Sequence, residues 1–425
     1  ISDVRLGPLP LFGAVGWLSL LWLVFTVGLL LYLWRRQGWN AETRSYLPVL
    51  GIVWLAVAFV LPVLVEKGQG IPIRGYGVML LLGVVAGVGL AAHQARRMAV
   101  DPEHVFSLAF AMFVAAIIGA RVFFVIQYWH EFTTVLDEAG PRAATWPEVI
   151  GAVLNVTQGG LVVYGSLIGG LLGAAWYLRR AKLPMLAMGD LIAPSLVLGL
   201  ALGRLGCLMN GCCFGGPCAL PWGVTFPFNS PPYQDQVARH LRPPLGLKLA
   251  AADDASHAPI IGAIDPDGPL AEANLQTGRR IVSIDGVDVN SVVEARALLS
   301  LPRTKLVMQQ EGAHPVSILL PRSLPAHPTQ IYASINAGLL ALLLWAVYPF
   351  RPRDGFVIAL LLTLYPITRF LLEAVRTDEP GQFGSALTIS QWVSVGMLLL
   401  VAVLWWVVAR QPRQLAFEPK TAAGG

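Results

Sequence analysis

The amino-acid sequence predicts an α-helical polytopic membrane protein with about nine transmembrane helices and a small α+β domain inserted on the extracytoplasmic side. The first observation is composition. Of the 425 residues 55% are hydrophobic and only 13% are charged, which is more apolar surface than a soluble domain of this length can bury. The second is a series of long apolar runs. The third is that the basic residues stand in short clusters beside these runs, so they indicate membrane topology and no nucleic-acid partner is expected.

Nine predominantly apolar stretches of roughly 18 or more residues are each long enough to cross a bilayer. They are 12–33, 47–65, 75–95, 105–127, 160–178, 188–208, 330–349, 355–373 and 388–409. The first is too long for the core of a signal peptide and is not followed by an A-x-A-like site, so we expect a retained helix. Glycines interrupt the fifth stretch and Pro194 interrupts the sixth; glycine in membrane helices is typical of close helix packing.

Basic residues follow every second span, and Lys and Arg favour the cytoplasmic ends of membrane helices. They are Arg35, Arg36, Arg44, Arg96, Arg97, Arg179, Arg180, Lys182, Arg351, Arg353, Arg410, Arg413 and Lys420. The pattern predicts an extracytoplasmic N-terminus and a cytoplasmic C-terminus. The loops 128–159, 209–329 and 374–387 then lie on the outer face.

The longest outer loop contains β-rich runs at 259–264, 280–289 and 305–320, and a short helix at 291–300 with a serine cap. The segment PIIGAIDPDGPLAEANLQTGRRIVSIDGVDVNSVVEARALL within this loop resembles the PDZ domains of bacterial periplasmic proteases, over about 257–322. The resemblance implies a groove that takes an extended peptide or a free C-terminus by strand addition. The alternative is an ordinary small β domain that binds nothing.

Four arginines, Arg74, Arg121, Arg204 and Arg369, lie at or near the outer ends of their predicted spans. A charge near the centre of a span costs at least roughly 2.5–3.5 kcal/mol, so an arginine retained there is a functional hypothesis. Any single one can instead snorkel to the interface or pair with Glu373. Four on one face predict a site for a phosphate-bearing substrate from the outer leaflet, because guanidinium groups bind phosphate oxygens bidentately.

Six segments, four of which contain these arginines, form an ordered set: IRGYG at 73–77, GARVFFV at 119–125, GGLVVYGSLIGG at 159–170, GRLGCLMNG at 203–211, HPTQIY at 327–332 and YPITRFLLEAVR at 365–376. Together they resemble the prolipoprotein diacylglyceryl transferase family. The resemblance depends on the ordered set, over about 71–215 and 325–409. It implies an enzyme of the bacterial cytoplasmic (inner) membrane that transfers diacylglycerol from phosphatidylglycerol to the lipobox cysteine of a prolipoprotein signal peptide and releases glycerol phosphate. No cofactor is expected.

With this resemblance the chain divides into five predicted parts. They are two extra N-terminal transmembrane helices at 1–70, the first part of the transferase core with an extracytoplasmic head at 71–256, the PDZ-like insert at 257–322, the last three core helices at 323–410, and a cytoplasmic tail at 411–425.

The resemblance also implies roles for individual residues. Displacement at the glycerol carbon needs a thiolate nucleophile, a stabilised phosphate leaving group and a water-poor site. Arg204 and Arg369 are expected to hold the phosphate. The other expected substrate-binding residues are Tyr76 and Tyr365, which orient the head group, His327 in the outer head region, and Arg74, Arg121, Asn210 and Glu373.

The chain departs from the better-known form of the family at two positions. Tyr164 stands where that form has the histidine proposed as general base. A tyrosine of pKa about 10 acts as a base only if nearby cations lower that value; otherwise it hydrogen-bonds the phosphate. Cys212 stands where some members carry an acidic residue. The two departures bear on the assignment of the mechanism more than on the assignment of the substrate class.

All four cysteines, Cys207, Cys212, Cys213 and Cys218, fall in one C-x4-CC-x4-C cluster. The spacing does not match common zinc motifs, so no metal is expected. On an oxidising face we expect at least one disulfide, with Cys212 or Cys213 to Cys218 the easiest pairing by sequence distance. Plain packing and a redox-reactive role stay open.

Four other functions were compared with the transferase. An intramembrane metalloprotease needs H-E-x-x-H, and the pair His130-Glu131 lacks the second histidine. A rhomboid-type serine protease needs a G-x-S-G element, which 164–170 does not supply. A transporter predicts inverted repeats, which the sequence does not show. A catalytically inert relative that acts as a membrane scaffold for lipoproteins or peptides stays open, because the histidine is missing.

Overall fold

A computed structural model of the chain describes residues 5–6, 9–10, 16–38, 47, 50–51, 53–60, 75–137, 140–155, 162–251, 258–377, 379, 381–382 and 384–417. Within these residues seven helices are long and apolar enough to cross a membrane. The protein is therefore a polytopic helical membrane protein, as predicted. Two compact units divide the chain: one comprises 1–74, 245–301 and 305–319, and the other 75–244, 302–304 and 320–425.

The helices are α1 (Trp17–Gln37), α2 (Gly75–Arg97), α3 (Pro102–Gln127), α4 (Trp129–Thr133), α5 (Trp146–Leu154), α6 (Val163–Arg180), α7 (Met185–Asn210), α8 (Pro231–Ala238), α9 (Val292–Leu299), α10 (Thr329–Val347), α11 (Phe356–Glu373) and α12 (Ile389–Arg410). The seven candidate spans are α1, α2, α3, α7, α10, α11 and α12.

Two of the nine predicted spans are not among these seven. The stretch 160–178 corresponds to α6, which is less apolar as a whole because it is rich in glycine and ends on Arg179 and Arg180. The stretch 47–65 is described only in part, since 48–49, 52 and 61–65 lie outside the described residues, and its described part includes a short π-helical turn at Ala56–Val60.

Glycines set the packing of the membrane helices. Helix α3 packs along α6, and α2 along α7. A Cβ added at Gly119 of α3 would lie 2.9 Å from the Cα of Gly169 in α6, and one at Gly83 of α2 would lie 2.9 Å from the carbonyl oxygen of Gly199 in α7. Real side chains do not approach a backbone this closely, so these positions bring the helix backbones together. The close packing predicted for 160–178 is confirmed.

A Gly119→Ala variant is expected to be less stable than the parent protein. The added methyl group forces the α3 and α6 backbones apart, and overpacking of this kind costs about 1–3 kcal/mol. Gly89→Ala in α2 is the matched control, because no atom lies within 4 Å of a Cβ added there. Thermal unfolding of both variants in detergent measures the difference. Equal midpoints would contradict the packing described here.

A buried carboxylate joins α7 to the start of α11. Asp190 of α7 is fully buried and accepts hydrogen bonds from the backbone N–H groups of Gly355 and Ile358, both at 2.8 Å. These donors belong to the unpaired N-terminal turn of α11, where a negative charge is favoured by the helix dipole. The bonds fix α11 against α7, and so help to set the site at the other end of both helices.

The strands are β1 (Arg5–Leu6), β2 (Leu9–Pro10), β3 (Thr134–Asp137), β4 (Gly140–Ala143), β5 (Leu247–Ala251), β6 (Pro259–Ile264), β7 (Ile281–Ile284), β8 (Val287–Asp288), β9 (Lys305–Gln310) and β10 (Val316–Leu319). Strands β5 and β6 form an antiparallel pair, and a four-stranded antiparallel sheet has the order β10-β9-β7-β8. Helix α9 has the predicted cap, since the Ser291 hydroxyl accepts from the N–H of Glu294 at 3.2 Å. A small antiparallel sheet region is thus present. The boundary at 257 stays a prediction, and β5 precedes it in the chain.

Candidate active site

The C-terminal turn of α7 brings two cysteine side chains together. Gly211 ends the helix in the left-handed conformation, with φ of 73°. Its N–H donates to Leu208 O, and the N–H of Cys212 donates to Cys207 O, both at 3.1 Å. This is a Schellman motif, in which the side chain after the glycine contacts the one five positions earlier. The motif therefore places the Cys212 thiol against Cys207.

Cys213 completes a group of three thiols. Its φ of 59° is left-handed, which is uncommon for a residue with a side chain. Two buried residues of α10 hold the turn: the Thr329 hydroxyl donates to Cys213 O at 2.6 Å, and the Gln330 amide donates to Cys212 O at 2.7 Å. The sulfurs of Cys207, Cys212 and Cys213 all lie within 4.8 Å of one another, and each residue is half-buried. We call these three the thiol cluster.

Cys218 lies outside the thiol cluster, and its backbone N–H donates to Pro325 O at 2.8 Å. All four cysteines are free thiols in the structure. The predicted disulfide stays a prediction, and Cys218, the partner that sequence distance suggested, is not one of the three cysteines whose sulfurs lie within 4.8 Å of one another.

Polar side chains surround the thiol cluster. Half-buried Arg204 interacts electrostatically with Tyr365 of α11 and with the thiols of Cys207 and Cys213. Tyr76, at the start of α2, interacts with the same thiols and with Arg204. Its ring approaches α7 closely because position 206 is glycine, where an added Cβ would lie 3.1 Å from Tyr76 Cδ2. Asn210 interacts with Cys212.

Arg369 belongs to an ion-pair network that lies one turn beyond Tyr365 along α11. It follows Tyr365 by four positions, so both lie on one face of the helix. Its guanidinium donates to the Glu373 carboxylate and, at 3.0 Å, to the Ser390 hydroxyl. Glu373 is buried and also accepts from Arg376 at 3.2 Å and from the Thr388 hydroxyl at 3.0 Å. One buried carboxylate thus holds two arginines.

An apolar cavity of about 270 Å³ lies between α2, α3 and α7. Leu80, Gly83, Gly87, Leu108, Met112 and Leu196 are among its lining residues. Leu80, the lining residue of α2 nearest the polar cluster, is four residues beyond Tyr76, which is a rise of about 6 Å along an α-helix. The cavity therefore begins about one turn deeper along α2 than the polar cluster.

Comparison with known proteins identifies the family. The family model described as prolipoprotein diacylglyceryl transferase matches residues 62–407. The chain belongs to this family. A phosphatidylglycerol–prolipoprotein diacylglyceryl transferase of Rhodopirellula baltica is 32% identical over 98% of this chain and 89% of its own length. Proteins of the same description from Clostridium tetani and Trichormus variabilis are 25% identical over 80% and 36% identical over 40% of this chain, which is 94% and 55% of their own lengths.

Among the arginines predicted to bind the substrate of the transferase, Arg121 is occupied by the protein itself. Its guanidinium donates to the carbonyl oxygens of Ala152, Val153 and Asn155 at 2.6–2.8 Å, and so holds the C-terminal end of α5. These contacts indicate a role in positioning the head region. Arg74 lies outside the described residues.

The other end of α5 is held by a second arginine. Glu148 accepts the N–H of Thr145 at 2.8 Å and both terminal nitrogens of Arg142 at 2.7 and 3.0 Å. The hydrogen bonds from Arg142 lower the pKa of Glu148 to about 2. Because this pKa lies below the ordinary value of 4.5, the contribution of the pair to stability is fully present above about pH 4.5 and is lost as the pH falls toward 2.

Tyr164 and His327 are not among the side chains that define the polar cluster of the transferase. Tyr164 stands in the first turn of α6 and is 41% exposed. The backbone of His327 pairs with the loop that follows the thiol cluster, through Gly215 and Gly216. Its ring stands 6.3 Å from that of Tyr332, and Nδ1 is buried with no hydrogen-bond partner among the described residues.

Three residues that position the transferase site were missed by sequence reasoning. Thr329 and Gln330 fix the carbonyl groups of the cysteine turn, and Arg376 shares Glu373 with Arg369. Arg376 carried a usable signal, because it follows Glu373 by three positions at the end of a helix. Thr329 and Gln330 lie in the HPTQIY segment at 327–332, but the segment did not reveal their role, since their partners are backbone carbonyls more than 110 residues away in the chain.

Proposed function

We propose that this protein transfers the diacylglyceryl group of phosphatidylglycerol to the lipobox cysteine thiol of prolipoproteins, and that Arg204 is the centre of its active site. The carrying observation is the position of Arg204, half-buried beside two tyrosines and three thiols at one end of the membrane helices, with the apolar cavity deeper along α2 and α7. Membership of the transferase family supports the reaction. It decides against the protease and transporter alternatives.

The lipid lies with its head group at Arg204 and an acyl chain in the apolar cavity. Phosphatidylglycerol has an anionic head above two hydrocarbon chains, and the site has the matching order of a cation above an apolar space. Tyr76 stands beside Arg204 at the polar end of α2. Moving an acyl chain from the bilayer into this cavity costs little hydrophobic free energy, because both surroundings are hydrocarbon.

Arg204 is the principal phosphate ligand. No salt bridge to Arg204 occurs within the described part of the chain, whereas Arg369 shares Glu373. A guanidinium without a carboxylate partner has donors available for two phosphate oxygens. Arg369 adds positive field from the turn of α11 that follows Tyr365, the side chain that interacts with Arg204.

Tyr164 does not act as the general base in this proposal. A phenol of pKa about 10 needs adjacent cations to become a base at neutral pH. Within the part of the chain that the structure describes, the strongest interactions of Arg204 are with Tyr365 and the cysteines, with Tyr76 beside them, and Tyr164 is not among these. The acceptor thiol must therefore be activated by another group.

The sheet region binds an extended peptide in this proposal, as the resemblance to PDZ domains implies. Strand addition needs a sheet edge, and among the described strands the four-stranded sheet ends in β10 on one side and β8 on the other. Helix α9 contacts β5, β6 and β7.

The polar end of the helices faces away from the cytoplasm. The start of α2 and the end of α7 carry the site, whereas Arg96, Arg97, Arg179 and Arg180 end α2 and α6 on the opposite side. Lys and Arg favour the cytoplasmic side.

Labelling with a membrane-impermeant thiol reagent tests this orientation. With the native cysteines replaced by serine, Ala219→Cys is expected to be labelled in spheroplasts and Ala181→Cys only after the membrane is opened. Ala219 follows α7 and Ala181 follows α6, so the two matched substitutions report on opposite faces. Labelling of Ala181→Cys in intact spheroplasts would reverse the orientation.

Complementation tests the function against the inert-scaffold alternative. Expression in a bacterium depleted of its own diacylglyceryl transferase is expected to restore growth and a diacylglyceryl thioether on a lipobox peptide, detected by mass spectrometry. A folded, membrane-inserted protein that restores neither would favour the scaffold.

A further inference from the structure

The thiol cluster has the geometry of a metal site. Zinc binds thiolate sulfur at about 2.3 Å in a tetrahedron, which places two such sulfurs about 3.8 Å apart. The sulfurs of Cys207, Cys212 and Cys213 already lie within 4.8 Å of one another on three different backbone positions. Small side-chain rotations close the remaining distance.

The backbone holds this arrangement at a cost. Cys213 adopts a left-handed conformation, and such a residue persists only where its surroundings fix it. Thr329 and Gln330 supply that restraint. A disulfide would use two of the sulfurs and leave the third, so it does not explain why all three converge. A metal ion uses all three.

The sequence spacing concealed the cluster. Common zinc motifs place two ligands in a short C-x2-4-C turn. Here the Schellman motif brings together two cysteines separated by four residues, and the left-handed turn adds the next one.

We propose that Cys207, Cys212 and Cys213 bind one zinc ion, and that its fourth coordination position takes the acceptor thiol of the prolipoprotein. The second part rests on the proposed function. Catalytic zinc sites combine three protein ligands with an open position, and a thiol that coordinates the ion is deprotonated. The half-buried cluster lies beside Arg204, where the phosphate of the donor lipid binds.

In the transfer step, the acceptor thiol releases its proton to water as its sulfur binds the zinc ion. An electron pair of that sulfur then forms the bond to the glycerol carbon of phosphatidylglycerol. The bond from this carbon to the phosphate oxygen breaks, and its electron pair leaves with glycerol phosphate. Three cysteine thiolates and the bound acceptor give the zinc centre a net charge of −2, which the adjacent Arg204 partly offsets.

Metal content tests the site without reference to activity. The full chain, purified in lipid nanodiscs and supplied with zinc, is expected to hold about one ion per chain and, with cobalt instead, to show thiolate-to-cobalt absorption. Cys207→Ser, Cys212→Ser and Cys213→Ser should each lose both signals. Cys218→Ser is the matched control and should keep them. Zinc retained by the triple serine variant, or a disulfide found among the three cysteines, would overturn the site.

Transfer kinetics test the open position. Removing zinc from the wild-type protein is expected to lower transfer at pH 6 about a hundredfold, in the range of a lost general base, and added zinc should restore it. Below the ordinary thiol pKa of about 8.5 the rate without zinc should rise about tenfold per pH unit, whereas the rate with zinc should be nearly flat. A merely structural ion would not change this slope.

Two further outcomes separate the inferences. Equal transfer with and without zinc, at every pH, would overturn the role of the ion and leave the proposed function standing. A zinc-loaded, folded protein that transfers nothing would overturn both the open position and the proposed function.

Discussion

Replacing Arg204 with alanine is expected to lower diacylglyceryl transfer by about two to three orders of magnitude, the scale seen when one preorganised charge-stabilising donor is lost. Negative charge moves onto the phosphate as the carbon–oxygen bond breaks, so the bonds from Arg204 strengthen in the transition state. Arg369→Ala should have an effect of the same order. Lysine at either position should rescue only part of the rate, because an ammonium keeps the charge but not the bidentate fork.

The contrast for this prediction is Tyr164→Phe, which deletes one hydroxyl and keeps the ring. Because Tyr164 stands outside the polar cluster, its loss should cost tenfold at most, or about 1.4 kcal/mol of barrier. The assay uses phosphatidylglycerol and a short lipobox peptide. Near-normal transfer by folded Arg204→Ala and Arg369→Ala proteins would remove both arginines from the mechanism and overturn the site proposed at Arg204. A loss with Tyr164→Phe as large as with Arg204→Ala would make that hydroxyl the base.

Replacing Glu373 with glutamine is expected to cost about 3–5 kcal/mol of stability, because it leaves two buried arginines without their shared carboxylate. Side chains of Arg369, Arg376 and Glu373 are 14%, 7% and 0% exposed. The change keeps the volume of the side chain and removes only its charge. Transfer should fall as well, since Arg369 loses the group that holds it in place.

Glu379→Gln is the matched control for the change at Glu373. Glu379 also meets Arg376, but at 3.8 Å and with a side chain that is 38% exposed, and ion pairs of that kind contribute about 0–1 kcal/mol. Thermal unfolding in detergent and the transfer assay give the two readouts. If Glu373→Gln were as stable and as active as Glu379→Gln, the network would not position Arg369.

Hydropathy predicted most of the membrane helices because burial in lipid constrains a long run of residues, not single contacts. The weak point was the stretch that became α6, where glycine serves helix packing and lowers the apolar signal. The glycines that lower the hydropathy of α6 also explain why it packs against α3, since Gly165 and Gly169 of α6 meet Gly119 of α3 backbone to backbone. The apolar composition thus predicted that lipid surrounds the helices, and the glycines predicted the close contact between α3 and α6.

Individual site residues were harder to predict because their roles depend on partners distant in the chain. Arg121 and Arg204 share the same sequence signal, an arginine at the end of a span. The structure distinguishes their roles. Arg121 donates its hydrogen bonds to carbonyl groups at the end of α5, whereas Arg204 stands beside Tyr365 and the thiols. The cysteines show the opposite case. Their spacing in the sequence predicts that the thiols come together, but it does so through a turn that ends a helix and not through a common metal motif.

The most direct test of the central claim is transfer by the purified protein. Full-length protein in nanodiscs that contain phosphatidylglycerol is incubated with a lipobox peptide, and mass spectrometry follows the peptide and the released head group. We expect a diacylglyceryl thioether on the cysteine and one glycerol phosphate for each peptide modified, both lost in Arg204→Ala. A folded wild-type protein that leaves the peptide unmodified would contradict the assignment of a transferase site at Arg204.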